Sequence, residues 1–233
     1  MDLAILTPTR GRPGSVARLL TAVCKTASLD VAVFLGVDDD DEMLEQYREE
    51  LAVVARPMVY LRTGPRTSLA EWTNILAVEA CVRRVPFLAS LGDDHVPATP
   101  GWDRTLVRAV QTLPGPGWAY GNDMFQGSRL PTAWVQSSAL FHTLGWVMPP
   151  DVRHMYVDNV VMDLGKATDR IVYRPDVTIE HRHALTGRAP WDPVYVESNR
   201  QGSVDRDRRA YEAWRRDRMD RDAAAVAALS WEG

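Results

Sequence analysis

The sequence predicts an α/β fold, a parallel sheet covered by helices on both faces. Three observations carry that expectation. Continuously apolar runs of strand length alternate with segments of helical period through the N-terminal half. Turn chemistry rather than a longer helix bounds those runs. Three of them end in polar clusters, "TPTRGR", "DDDDE" and "GDDH", where ligands bind in such sheets.

Each element follows from its local pattern. "LAILTPT" (Leu3–Thr9) reads as a buried strand, and Pro13 then opens a helix. Val16, Leu19, Leu20, Val23 and Cys24 mark one apolar face of that helix. "VAVFLGV" (Val31–Val37) is a second strand; a short helix over Glu42–Ala52 and a strand at Pro57–Leu61 follow. Ser68 with Glu71 three residues later has the capping-box spacing of a helix start. "VPFLASL" (Val85–Leu91) is the fourth strand.

Beyond Thr99 the expected elements are a helix in "PGWDRTLVRAVQTL", a short strand after "PGPG", and a strand and helix in "RLPTAWVQSSALFHTLGW". A helix in "DNVVMDLGKATDR" and a strand, turn and strand in "IVYRPDVTIEHRH" complete the set. We expect one domain over residues 1–200, with a nucleotide-binding half (1–98) and an acceptor half (99–200). Residues 201–233 read as a charged helix with i, i+4 pairs Asp205/Arg209, Glu212/Arg216 and Asp217/Arg221. Over Asp205–Asp222 its apolar stripe is thin, with Tyr211 and Trp214 as anchors before an alanine run, so it is expected to pack lightly.

Bulk properties narrow the function. The 233 residues can bury a sizeable core, and 45% apolar with 25% charged residues is the balance of a soluble globular chain. A net charge of −4 argues against nucleic acid as a global partner, leaving a local basic groove open. Lys25 and Lys166 are the only lysines; the arginine bias suits phosphate recognition and equally reflects a GC-rich genome. Cys24 and Cys81 read as buried reduced thiols. The N-terminus shows no basic leader, and no apolar run reaches membrane-span length, so a cytoplasmic chain is expected.

Two adjacent acids at a strand end, Asp93 and Asp94, repel each other, and burying them unpaired is costly. A divalent cation, sugar or phosphate hydroxyls, or a solvated turn would each resolve this. "TPTRGRP" has neither the Walker nor the GxGxxG spacing, so it is no P-loop and no dinucleotide fingerprint.

In order and spacing, "ILTPTRGRP", "GVDDDDE", "LGDDHVPATPGW" and "IEHRH" resemble the nucleotide-sugar glycosyltransferases of GT-A fold, in the style of the family 2 enzymes of bacteria or bacteriophages. The resemblance covers roughly Leu3–His183 and implies a Rossmann-like, mixed and mostly parallel sheet with a C-terminal helical tail. It departs from the DxD metal motif in having Gly92 where many relatives place an acid, which leaves open whether Asp93 or Asp94 meets the metal.

The resemblance implies transfer of a hexose from a nucleotide-diphosphate sugar, UDP-linked, to an acceptor hydroxyl. Asp94 with His181 or His183 would hold Mn²⁺ or Mg²⁺, histidine favouring Mn²⁺. Asp93 would lie nearer sugar or ribose hydroxyls. Asp39 first, and Asp38 second, would accept the uracil imide N–H; Thr7, Pro8 and Thr9 would line the base pocket. Arg10 and Arg66 are the phosphate candidates, and Asn74 is left open. Asp158 would be the base of an inverting reaction, ahead of Asp163, although "EHRH" also occurs in retaining GT-A enzymes and Asp158 suits a helix N-cap too. Asn122 and Asp123 border the sugar or acceptor, or form a turn. The acceptor stays open among a protein, a glycan, a lipid-linked sugar and a modified nucleobase, as does self-association into a homo-oligomer. The rival readings are a sugar-nucleotide nucleotidyltransferase, which lacks its lysine here, and a non-catalytic nucleotide- or sugar-binding module.

Overall fold

Alternate residues of the apolar strands face opposite layers, and this pattern organises the computed structural model, which describes residues 1–231. The elements run β1 (Leu3–Thr9), α1 (Pro13–Thr26), β2 (Val31–Asp38), α2 (Leu44–Ala52), β3 (Met58–Gly64), α3 (Leu69–Val82), β4 (Phe87–Ser90), β5 (His95–Pro97) and α4 (Trp102–Gln111). They continue with β6 (Trp118–Asn122), β7 (Trp134–Ser137), α5 (Ser138–Leu144), α6 (Val157–Thr168), β8 (Ile171–His181), α7 (Pro193–Ser198), α8 (Gln201–Asp217) and α9 (Met219–Ala227).

Among the described residues, eight strands form one sheet in the order β3-β2-β1-β4-β7-β6-β8-β5. β1 pairs parallel with β2 and β4, and β2 with β3. β7 runs antiparallel between β4 and β6, β8 is parallel to β6, and β5 closes antiparallel on β8. The sheet is therefore mixed and mostly parallel, and the carboxyl ends of β1, β2, β4, β6 and β8 share one edge.

On one face, Leu3, Ile5, Val33 and Leu35 pack on α1 and α4 through residues such as Leu19, Leu20 and Leu106. On the other, Ala4, Leu6 and Phe34 pack on α3, and Trp118 and Trp134 share that layer with α6. Burying one such Leu or Phe side chain contributes about 1.5–3 kcal/mol, so register is strongly fixed.

Several local expectations change. Cys24 is exposed and Cys81 half-buried, because α1 turns Val16, Leu19, Leu20 and Val23 inward and leaves Cys24 at the rim. The "RPD" stretch does not split β8; it is a bulge where Gly121 faces Arg174 but Asn122 faces Thr178. The tail is two helices that break at Arg218, and the indole of Trp214 donates to Asp222 at 2.9 Å across the break. It does not pack lightly: Trp214 and Val226 join the core, and Asp207 and Asp222 are buried. Among the described residues its internal ion pairs are Asp205–Arg208, Arg206–Asp207, Arg216–Asp217 and Arg221–Asp222 rather than the expected i, i+4 set, and Arg215 and Arg218 reach Asp163 and Asp151 outside it. Residues 232 and 233 of the expected tail helix lie outside the described residues. Among the described residues no helix is long and apolar enough to cross a membrane.

Candidate functional site

A cleft of about 970 Å³ opens at the carboxyl edge of the sheet, between the ends of β1, β2 and β4, the start of α6 and the chain around α7. At the end of β1, Pro8, Thr9 and Arg10 line it. The Thr9 hydroxyl donates to Asp93 at 2.6 Å, and Arg10 donates to Asp38 at 2.8 Å and pairs with Asp40. Thr7 does not reach the cleft. It lies one strand repeat deeper, fully buried, with no hydrogen-bond partner for its hydroxyl.

At the end of β2 the two candidate acids separate. Asp38 is buried in the cleft wall and accepts the Trp72 indole N–H at 2.7 Å and the Thr67 backbone N–H at 3.3 Å. A Cβ at Gly36 would meet the Trp72 ring at 2.8 Å, so the glycine makes room for that indole. Asp39 is exposed and outside the wall, and its backbone N–H is tied to Gly64 at 2.7 Å.

The turn after β4 explains why the acids are preceded by glycine. A Cβ at Gly92 would sit 2.8 Å from an Asp94 carboxylate oxygen and 3.1 Å from His95 Nδ1. The Gly92 N–H also donates to His95 Nδ1 at 3.0 Å. Asp94 lies 3.2 Å from His95 Nδ1 and 3.4 Å from His181 Nε2, and accepts the Tyr195 hydroxyl at 2.6 Å. The antiparallel register sets His95 opposite His181, with their rings stacked at 4.3 Å.

The electrostatics separate the two acids. Burial pushes the Asp93 carboxyl up, against the pull of the Arg12 guanidinium 3.2 Å away. Burial would raise Asp94 too, but His181 and His95 outweigh it and hold its carboxyl well below the usual range. Burial works to lower His181, yet Asp123 and Asp94 carry it up to about 9. His95 is lowered by burial and by its neighbour His181.

Asp94, His95 and His181 each offer a donor atom within 4.8 Å of the others. His95 Nε2 and His181 Nδ1 are buried without a hydrogen-bond partner. One carboxylate and two imidazoles form a donor set that fits a divalent transition metal. His183 does not join them; its Nδ1 accepts the Leu185 N–H at 3.1 Å, and its ring stacks on Phe125.

Asp158 lines the same cleft as the second residue of α6, two positions past the N-cap, which Tyr156 takes at φ 69°. Its carboxylate accepts the Asn159 N–H at 3.0 Å, and burial raises its pKa. Asp163 turns to the tail and accepts the Tyr211 hydroxyl at 2.6 Å. Arg66 lines the cleft, exposed, and donates to Glu197 at 2.6 Å. Asn74 holds the Val147 and Met148 backbone at 2.8 Å or more. Asp123 gives one oxygen to the N–H groups of Phe125, Gln126 and Gly127, so its carboxylate shapes a loop. Asn122 does the same for Met124 at 2.9 Å.

Sequence reasoning passed over His95, Arg12, Trp72 and Tyr195. His95 and Arg12 stood inside the motifs quoted for their neighbours, and nothing but the fold reveals that Tyr195 returns to Asp94.

No protein-family model matches the chain, and no curated protein matches it in sequence. Solved structures do match it. The mannosyltransferase PcManGT from Pyrobaculum calidifontis, in complex with GDP-Man and Mn²⁺, superposes with a TM-score of 0.60 at 13% identity, covering 97% of this chain and 73% of that one. S. aureus TarS in complex with UDP-GlcNAc gives 0.59 at 12% identity, covering 91% and 71%. TarS in complex with UDP gives 0.57 at 12% identity over 77% of this chain, which spans only 59% of that structure. These similarities and the strand order agree: the chain has the GT-A fold of the nucleotide-sugar glycosyltransferases.

Proposed function

We propose that the protein transfers a hexose from a nucleotide-diphosphate sugar, UDP-linked, to an acceptor hydroxyl with inversion. The observation that carries this reading is the convergence in one cleft of Asp93, Asp94 and His181 with Asp158, a carboxylate whose pKa burial raises. The nucleotides and Mn²⁺ bound by the structural neighbours support a nucleotide-sugar donor and a divalent cation.

Asp94, His95 and His181 would hold the cation, which supplies positive charge to a leaving diphosphate. Asp38 replaces Asp39 as the base-recognising acid in this reading. A carboxylate offers about four lone-pair sites, and Asp38 already accepts from Trp72, Thr67 and Arg10, which leaves capacity for one imide N–H. Pro8 and Thr9 border that position. Asp93, fixed by Thr9 and Arg12, faces the hydroxyls of the donor. Asp158 takes the proton of the acceptor hydroxyl, and its raised pKa brings it closer to the acidity that a general base needs near neutral pH.

The test is incubation with a panel of UDP- and GDP-sugars and Mn²⁺, reading release of the nucleoside diphosphate and the anomeric configuration of the product by NMR. Inverted product that disappears in Asp94→Ala and Asp158→Asn supports the assignment. Retention of configuration removes Asp158 as base. Absence of UDP or GDP binding, with or without metal, removes the transferase reading.

A further inference from the structure

The chain between β8 and α8 folds back over the cleft and places its own groups on the site. Asp192 begins α7, and its carboxylate caps that helix by accepting the Tyr195 N–H at 2.9 Å. The same carboxylate grips Arg12 with both oxygens, accepting Nε at 2.6 Å and a terminal nitrogen at 2.8 Å. Arg12's other terminal nitrogen donates to Asp93 at 3.2 Å. One turn on, the Tyr195 hydroxyl donates to Asp94 at 2.6 Å while its ring lies 4.0 Å from the guanidinium.

These occupants have the chemistry of a ligand. A bidentate pair of oxygens on a guanidinium fork is how arginine takes a phosphate. Little apolar burial holds the segment down. Trp191, Leu185 and Val196 are 53%, 60% and 48% exposed, and its buried side chains are Ala184, Tyr195 and Ser198. What fastens it is polar: Arg12–Asp192, Tyr195–Asp94 and, at the surface, Arg66–Glu197. A segment fastened in this way opens at low cost.

We propose, resting on the donor-site reading above, that Arg12 is a diphosphate-binding residue, and that Asp192 and Tyr195 are resident self-ligands displaced when a nucleoside diphosphate enters. The exchange is of ligands alone. Phosphate oxygens take Arg12 from the Asp192 carboxylate, and Asp94 is freed of the Tyr195 hydroxyl.

Two near-isosteric variants of the full chain test this. Asp192→Asn keeps a good N-cap but loses the second carboxylate oxygen and the charge. Tyr195→Phe keeps the ring beside Arg12 and loses only the hydroxyl. Titration calorimetry with UDP and with GDP, in Mn²⁺, should show both variants binding tighter than wild type, Asp192→Asn by about tenfold, because a self-closed population taxes the apparent affinity. Arg12→Gln should weaken binding by about tenfold or more. In wild type, hydrogen exchange of residues 184–199 should speed up when UDP and Mn²⁺ are added. Variants that bind no tighter than a wild type that does bind, or a segment that becomes better protected, overturn the self-ligand proposal and leave the donor site standing. Failure of wild type and both variants to bind either nucleotide overturns both, and makes the segment a structural clamp.

Discussion

The buried carboxylate of Asp207 accepts the backbone N–H of His154 at 2.9 Å, and with it those of Met155 at 2.9 Å and Arg153 at 3.3 Å. A residue of the charged tail thereby fixes the loop that leads through Tyr156 into α6 and Asp158. Asp207→Ala should cost about 2–4 kcal/mol in chemical denaturation, because it empties a buried position and takes the acceptor from three backbone N–H groups at once. Asp207→Asn, which keeps two acceptor lone pairs, should recover roughly half of that loss.

Gly92→Ala should damage the cation site while sparing the fold. The added Cβ meets the far end of the Asp94 side chain at 2.8 Å, and that carboxylate can swing away. We expect Mn²⁺ affinity, read by calorimetry, to fall about tenfold, with a stability change within roughly 1 kcal/mol. An unchanged Mn²⁺ affinity would detach Asp94 from metal binding.

Asp158→Asn should abolish transfer, lowering kcat about 10²–10⁴-fold, and leave the UDP affinity intact. Its carboxyl is raised in the folded state by burial, so the fold favours the protonated form. That contribution is present below the unfolded pKa and lost as pH rises through the folded value, so at neutral pH the ionised Asp158 costs stability. The asparagine variant should therefore melt higher than wild type at pH 7, and the acid limb of wild-type activity should lie above the ordinary carboxylate range. A lower melting temperature for the variant would contradict the burial argument.

Trp72→Phe removes the N–H that Asp38 accepts at 2.7 Å in a buried setting. Equilibrium unfolding should show a loss of about 1–3 kcal/mol, and UDP affinity should drop because Asp38 is no longer held in place. Unaltered nucleotide affinity would remove Asp38 from base recognition.

The sheet was readable from sequence where strands are apolar throughout: β1, β2 and β4 announce themselves because both faces are covered. β5 was not readable; it has 3 residues, too few to show any period. His95 was missed for the same reason, since its partner His181 is fixed by pairing across the chain rather than by any local spacing. The acids at strand ends were legible as a set. Which of Asp38 and Asp39 faces the cleft was not, because a strand's last residue and the following turn differ only in backbone direction. The tail misled through its surface: its charges are abundant, but Asp207 and Asp222 are spent inward and Trp214 is 2% exposed.

The His95–His181 register also dictates when the site can exist. The two residues are 86 positions apart (181 − 95), joined through a strand pair of three residues a side. Closing so long a loop before so short a ladder rewards it is unfavourable, so this pairing belongs among the late events of folding. A slip of one residue would turn one imidazole to the opposite face of the sheet and disperse the donors. Cation binding at this cluster is thus a readout of completed assembly, available only once the chain through β8 has found its register, and it would lag behind the strands of the first half in any refolding experiment that follows both.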